Sequence, residues 1–118
     1  MDAKDPSLYL LHMRDCCERI EECLAIRGRP DVPERMVLYA VCRNLEILGE
    51  AANKTGAEFR AAHPEIPWRK MVNARNVLIH NYEGTDPEIV WGIAAHDIPP
   101  LLAAVRRLLE EAKNLGVS

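Results

Sequence analysis

Apolar residues recur along most of this chain at steps of three and four, the spacing that places side chains on one face of an α-helix. In the first segment the recurring positions are Tyr9, Met13, Cys16, Ile20 and Cys23. Asp5 followed by Pro6 marks the start of this helix, because aspartate at the N-cap and proline at the first position are both typical of helix N-termini. Gly28 marks its end.

A second helical pattern follows Asp31 and extends to about Lys54. The run from Asp31 to Glu34 resembles a capping box, so Asp31 is the predicted N-cap. The apolar row of this helix contains Val37, Val41, Leu48 and Ala52, and a different face carries Arg43, Glu46 and Glu50.

Three more helical segments are predicted in the rest of the chain. A short turn spans Ala57 to Ala62, and a long helix begins near Pro67 with Trp68, Met71, Val72, Leu78 and Ile79 as its apolar positions. The run from Thr85 to Glu88 repeats the capping pattern and opens a last helix. Pro99-Pro100 is expected to kink or split that helix, because proline removes a hydrogen-bond donor and clashes with the preceding turn.

The pattern shows no strand-like alternation, so the predicted fold class is all-α. Short connections make neighbouring helices antiparallel, which predicts an up-and-down helical bundle of four to five helices. A chain of 118 residues is expected to form a single domain, 1–118. No apolar run approaches the length of a membrane span and no signal peptide is recognised, so we expect a cytoplasmic protein that does not contact membranes.

Cysteine content and charge narrow the choice of function. The four cysteines are Cys16, Cys17, Cys23 and Cys42. They lie within apolar helical patterns and form no C-x-x-C pair, so we interpret them as reduced core residues and expect no metal site. The formal charge of −3 argues against a broad phosphate-binding surface. Any nucleic acid would have to meet a local pocket, or be steered by another subunit or partner.

The stretch from Arg75 to Tyr82 holds the residues best suited to chemistry. Arg75 lies in a packing row of its helix, where a guanidinium needs a carboxylate, a cleft or an anionic ligand. Glu46 and Glu50 are the candidate carboxylates. His80 lies roughly 140° further around an ideal helix, so it meets Arg75 only if the helix ends nearby or two subunits face each other. Spacing alone favours the plainer alternative of an ion-paired arginine, a satisfied histidine and a packing tyrosine.

The sequence R-x-x-x-x-H-x-Y formed by Arg75, His80 and Tyr82 resembles the signature of HepT toxins in the HEPN superfamily. Four other segments resemble that family in the same order, and they are 43–52, 66–70, 86–91 and 97–101. The similarity extends from the first helix to about Leu109. An ordered set of segments is far more specific than the short signature alone.

The resemblance implies a helical homodimer with its active site in the cleft shared by two subunits. It implies the toxin of a type VII-like toxin–antitoxin pair, an endoribonuclease that cleaves tRNA or mRNA and needs neither metal nor cofactor. Its partner would be an MNT-type nucleotidyltransferase antitoxin, which inactivates the toxin by transferring AMP to Tyr82. Arg75 and His80 would be catalytic, and Asn76 would support them.

These residue types fit cleavage through the RNA 2′-hydroxyl, a group that DNA lacks. His80 would move a proton and Arg75 would stabilise the charge that develops on the phosphorus centre. The alternative is a non-catalytic helical dimer that binds a nucleotidyltransferase and a nucleotide. RNA cleavage that depends on His80 would distinguish the two.

Overall fold

The structure, a computed structural model, describes residues 5–80 and 86–114, and of residues 77, 79 and 80 it describes the backbone only. The helices are α1 (Pro6–Ile26), α2 (Glu34–Lys54), α3 (Ala57–Ala62), α4 (Trp68–His80), α5 (Pro87–Gly92) and α6 (Ile98–Asn114), and a π-helical turn, Ile93–Asp97, joins α5 to α6. The described residues contain no strand. The predicted all-α fold is confirmed.

The predicted cap at Asp5 forms, and the helix start predicted within the run 85–88 is capped by Asp86. The side chain of Asp5 accepts a hydrogen bond from the backbone N–H of Ser7 at 2.9 Å, and Asp86 accepts one from that of Glu88 at 3.0 Å. The predicted cap at Asp31 is wrong, because α2 begins at Glu34 after Pro33. A residue before proline is disfavoured in helical conformation, so Val32 cannot join the helix. Asp31 instead accepts a hydrogen bond from Arg29 at 3.3 Å.

The prolines of the last helix do not end it. The chain stays helical from Pro87 to Asn114, and the π-helical turn ends at Asp97, two residues before Pro99. The N–H of Ile98 donates to the carbonyl of Ile93, five residues back. The wider turn accommodates the prolines, whose rings and missing N–H groups are incompatible with a regular α-turn at this point.

The length and composition of the same helix also bear on the expectation that no segment spans a membrane. By length and composition alone, Pro87–Asn114 could cross a membrane, although no uninterrupted apolar run in the sequence is that long. A core helix of a helical bundle has the same features. The buried side chains of α6 are Ile98, Leu101, Leu102, Ala104, Val105 and Leu108.

The core lies where α1 packs against α2 and α6, and α2 also packs against α4. Its fully buried side chains include Met13, Ile20, Val41, Leu45, Leu48, Leu102 and Val105. Cys16 and Cys17 are also buried, and burial raises the pKa of these thiols to about 11 and about 12. All four cysteines are free.

Candidate active site

Arg75 lies where α4 packs closely against α2, and the residue of α2 that faces it is Gly49. A Cβ atom on Gly49 would lie 2.6 Å from the Cβ of Arg75 and 3.0 Å from the carbonyl oxygen of Met71. Real Cβ atoms essentially never approach another atom to 2.6 Å. The missing side chain therefore lets α4 approach α2 and gives the stem of Arg75 its place between the two helices.

The guanidinium of Arg75 is only partly paired. Its Nη2 lies 3.7 Å from Oε1 of Glu50, an ion-pair distance beyond hydrogen-bonding range. Its Nε is buried and has no hydrogen-bond partner among the described residues. The side chain is 29% exposed and that of Glu50 is 50% exposed. Among the described residues, packing therefore holds Arg75 in place more than hydrogen bonds do, and the exposed part of its guanidinium is accessible to an anionic ligand.

The two candidate carboxylates have different partners. Glu50 contacts Arg75, whereas Oε2 of Glu46 lies 3.7 Å from Nη1 of Arg43 on the same helix. Spacing along the sequence could not separate them, because both lie on the same face of α2. What selects Glu50 is its position beside Gly49, where α4 packs closely against α2.

The other predicted site residues follow Arg75 in the sequence, and part of them lies outside the described residues. Asn76 is exposed, and His80 is the last described residue of α4. The side chain of His80 and the whole of Tyr82 lie outside the described residues. Their predicted roles stay predictions, as does that of Asn76.

Gly49 is the site residue that the sequence reasoning missed. A glycine inside an amphipathic helix costs stability relative to alanine, so it usually marks a close approach of another backbone or a ligand. That signal was present in the sequence, but only the structure shows that the close neighbour is Arg75.

The described residues contain no group of three or more His, Cys, Asp or Glu side chains that could hold a metal ion. His63 instead lies 3.4 Å from the carboxylate of Glu65, and its ring lies 4.5 Å from that of Phe59. What these residues offer to a ligand is therefore positive charge and hydrogen-bond donors at Arg75. The fold and this site define a small helical protein with a partly exposed arginine where two helices meet.

Comparison with known proteins gives the family. Residues 13–108 match the family described as "Ribonuclease HepT-like". The chain therefore belongs to the HepT-like ribonuclease family, as the signature predicted. No solved structure matches the chain.

The matches to several relatives cover most of the chain. A protein of Caldanaerobacter subterraneus subsp. tengcongensis named "Putative RNase" is 35% identical over 111 residues, which cover 93% of this chain and 99% of the relative. A "Probable ribonuclease HepT" of Thermococcus cleftensis is 38% identical over 101 residues, 85% of this chain and 92% of the relative. A Methanocaldococcus jannaschii protein named "Gamma-glutamylcyclotransferase and putative RNase" is 34% identical over 109 residues, and the match covers 49% of its length.

Proposed function

We propose that this protein is the ribonuclease toxin of a type VII-like toxin–antitoxin pair and that it cleaves cellular RNA without a metal ion. The observation that carries the proposal is the incompletely paired, partly exposed guanidinium of Arg75, at the first position of the signature. An arginine in this state suits a phosphate, which accepts several N–H groups at once. The relatives are named as ribonucleases, which supports RNA as the polymer whose phosphate binds to Arg75.

The proposed reaction uses the substrate's own nucleophile. The RNA 2′-oxygen loses its proton to a base and attacks the adjacent phosphorus, and the bond from phosphorus to the 5′-oxygen breaks. The 5′-oxygen leaves with a proton from an acid, and the other product ends in a 2′,3′-cyclic phosphate. Arg75 stabilises the negative charge that accumulates on the phosphoryl oxygens. His80 transfers a proton, a contribution typically of about 10²–10⁴-fold.

A homodimer would supply two copies of His80 to one cleft, so that one acts as base and the other as acid. This division of labour predicts that a mixed dimer with one His80→Ala subunit loses activity. A mixed dimer that kept full activity would show that a single histidine is enough.

Tyr82 is the proposed site of control by an MNT-type nucleotidyltransferase antitoxin in the cytoplasm. The tyrosyl oxygen would attack the α-phosphorus of ATP, with pyrophosphate as leaving group. The attached AMP would then exclude RNA by its bulk and negative charge. Tyr82→Phe should keep the fold and the cleavage activity and abolish modification, as measured by intact-mass spectrometry after incubation with the antitoxin and ATP.

The test of the proposed function is cleavage of total cellular RNA by purified protein in EDTA. Wild type is compared with Arg75→Ala, with His80→Ala and with the matched control Arg107→Ala, which removes the same charge from an exposed position of α6. We expect cleavage with cyclic phosphate ends in wild type and control, and a loss of at least about 10²-fold in the two signature variants. Circular dichroism confirms that the variants are folded.

The opposite result would favour the second candidate. If wild type with a free Tyr82 cleaves no RNA, the bundle is better explained as a non-catalytic dimer that binds a nucleotidyltransferase and uses Arg75 to hold a nucleotide phosphate. The partial pairing of Arg75 fits that function as well, because it supports the binding of an anion and does not distinguish binding from cleavage.

A further inference from the structure

A groove of about 570 Å³ lies on the surface beside α4, between the end of α2, α3 and the loop that precedes α4. Its polar wall carries Asn53, Arg60, Arg69 and Asn73, and its apolar surface includes Ile66 and Val72. None of the described residues that line it is acidic. In a chain with a formal charge of −3, a wall with two arginines and no carboxylate is a local site of positive potential.

Hydrogen bonds fix the shape of this groove. Nη1 of Arg60 donates to the carbonyl oxygens of Ala52 and Asn53 at 3.3 and 2.7 Å, close to the end of α2. Nε1 of Trp68 donates to the carbonyl oxygen of His63 at 2.8 Å. A wall held in this way loses little conformational entropy when a ligand binds.

Arg69 and Asn73 continue toward the signature along one face of α4. Arg69, Asn73 and Asn76 are all exposed and lie at steps of four and three. A further step of four reaches the register position of His80. With a rise of about 1.5 Å per residue, Arg69 lies about 16 Å from His80 along the helix axis. An RNA strand whose cleaved phosphate lies at the His80 end of this face can therefore follow the face into the groove, a distance that a few nucleotides span.

We propose that the groove binds the single-stranded RNA that flanks the cleaved phosphate, with Arg69 on a backbone phosphate and Asn73 on a sugar or base edge. This inference rests on the proposed ribonuclease function. The chemistry favours a single strand, because an amide reads base edges that only unpaired RNA presents freely. Trp68 is buried and its Nε1 donates to the carbonyl oxygen of His63, so we do not expect a base to stack on its ring.

The test is the affinity of a short fluorescent single-stranded RNA, measured by anisotropy at several salt concentrations in a His80→Ala background that prevents cleavage. Arg69→Gln should raise the Kd about tenfold, as expected for the loss of one charge-assisted contact. The slope of log K against log salt should become shallower by about 0.7, the value for one phosphate contact on a single strand. Asn73→Ala should raise the Kd and leave the slope unchanged.

The matched control is Arg107→Gln, which removes the same charge from an exposed position of α6. It should change neither Kd nor slope by more than experimental error. If Arg69→Gln and Arg107→Gln weaken binding equally, the effect is general electrostatics and the groove proposal is overturned. If wild type cleaves RNA and Arg69→Gln binds it as tightly as the parent, the groove proposal is wrong and the proposed ribonuclease function is unaffected. If wild type neither binds nor cleaves RNA, the proposed function fails first and the groove proposal fails with it.

Discussion

At the scale of single residues, the guanidinium of Arg75 can bind a ligand because its neighbours pair with it only weakly. Glu50 lies 3.7 Å away and is half exposed, an arrangement that contributes little to folding because water and salt screen it. The same carboxylate does matter to a ligand, since it is a negative charge beside the position where a phosphate would bind. Glu50 and an RNA phosphate would therefore compete for one guanidinium.

This competition predicts that one substitution changes RNA binding clearly while it changes stability little. Glu50→Gln should alter the free energy of unfolding by less than about 1 kcal/mol and tighten RNA binding about fivefold, the effect of removing one like charge near 4 Å in water. Urea unfolding and RNA titration measure the two. Glu46→Gln is the matched control, because Glu46 pairs with Arg43, and it should leave the affinity unchanged. Weaker binding in Glu50→Gln would instead mean that Glu50 orients Arg75.

The two buried thiols make stability depend on alkaline pH. Burial raises the pKa of Cys16 to about 11 and of Cys17 to about 12, so above pH 9 the unfolded chain loses protons that the folded chain keeps. Stability contributed by the thiols is complete below pH 9 and is lost as pH rises through their folded pKa values.

We expect a loss of about 1 kcal/mol per thiol between pH 9 and pH 10 relative to a Cys16→Ala/Cys17→Ala variant. Urea unfolding of both proteins at each pH measures it, and the variant corrects for lysine and tyrosine titration. Parallel pH profiles of the two proteins would show that the thiols ionise equally in both states.

At the scale of elements, the contact between α2 and α4 depends on one absent side chain. Gly49→Ala would place a methyl group 2.6 Å from the Cβ of Arg75 and 3.0 Å from the backbone oxygen of Met71. Neither atom is the flexible end of a side chain, so α4 has to shift.

We predict that Gly49→Ala destabilises the fold by about 1–3 kcal/mol, as overpacking does, despite a helix-propensity gain of about 1 kcal/mol. RNA cleavage should fall because Arg75 moves with α4. Gly92→Ala is the control, since no described atom lies within 4 Å of the added Cβ, and it should be neutral or stabilising. Urea unfolding compares the two, and equal stabilisation by both substitutions would contradict the close approach.

At the scale of the whole molecule, α2 carries an exposed row that leads to the site. Met36 is 60% and Tyr39 56% exposed. Arg43, Glu46 and Glu50 continue the row at steps of four, three and four. Large apolar side chains on the outside of a small bundle often mark a protein contact. Because this row ends at Glu50 beside Arg75, a second subunit on it would lie against the site, which favours this face for the proposed homodimer.

The double variant Met36→Glu/Tyr39→Glu should therefore be monomeric in sedimentation velocity and should lose RNA cleavage, since the second histidine leaves with the second subunit. Ile89→Glu is the control, because Ile89 is also apolar and 54% exposed but lies on α5. It should remain dimeric and active. An active wild-type monomer would contradict the shared cleft.

Most of the fold could be predicted because helix formation follows local rules. Residues close together in the chain determine the row of Met13, Cys16 and Ile20, the cap at Asp5, the helix start within the run 85–88 and the bounds of α3. The cap at Asp31 failed by the same local rules, since the effect of Pro33 on its predecessor outweighs the capping box. The π-helical turn was foreseen only as a disturbance at Pro99, because its form depends on how the whole helix packs.

The sequence by itself determined the family, the helices and the residue types of the signature, because these depend on composition, spacing and short-range preferences. Only the tertiary structure shows that Glu50 is the carboxylate beside Arg75 and that the space at Gly49 excludes a side chain. It also shows that Arg69 and Asn73 line a groove whose described lining contains no acidic residue. Each of these depends on distances between elements far apart in the chain. Such distances are set by how side chains fill the space between helices, and the pattern along one helix does not contain them.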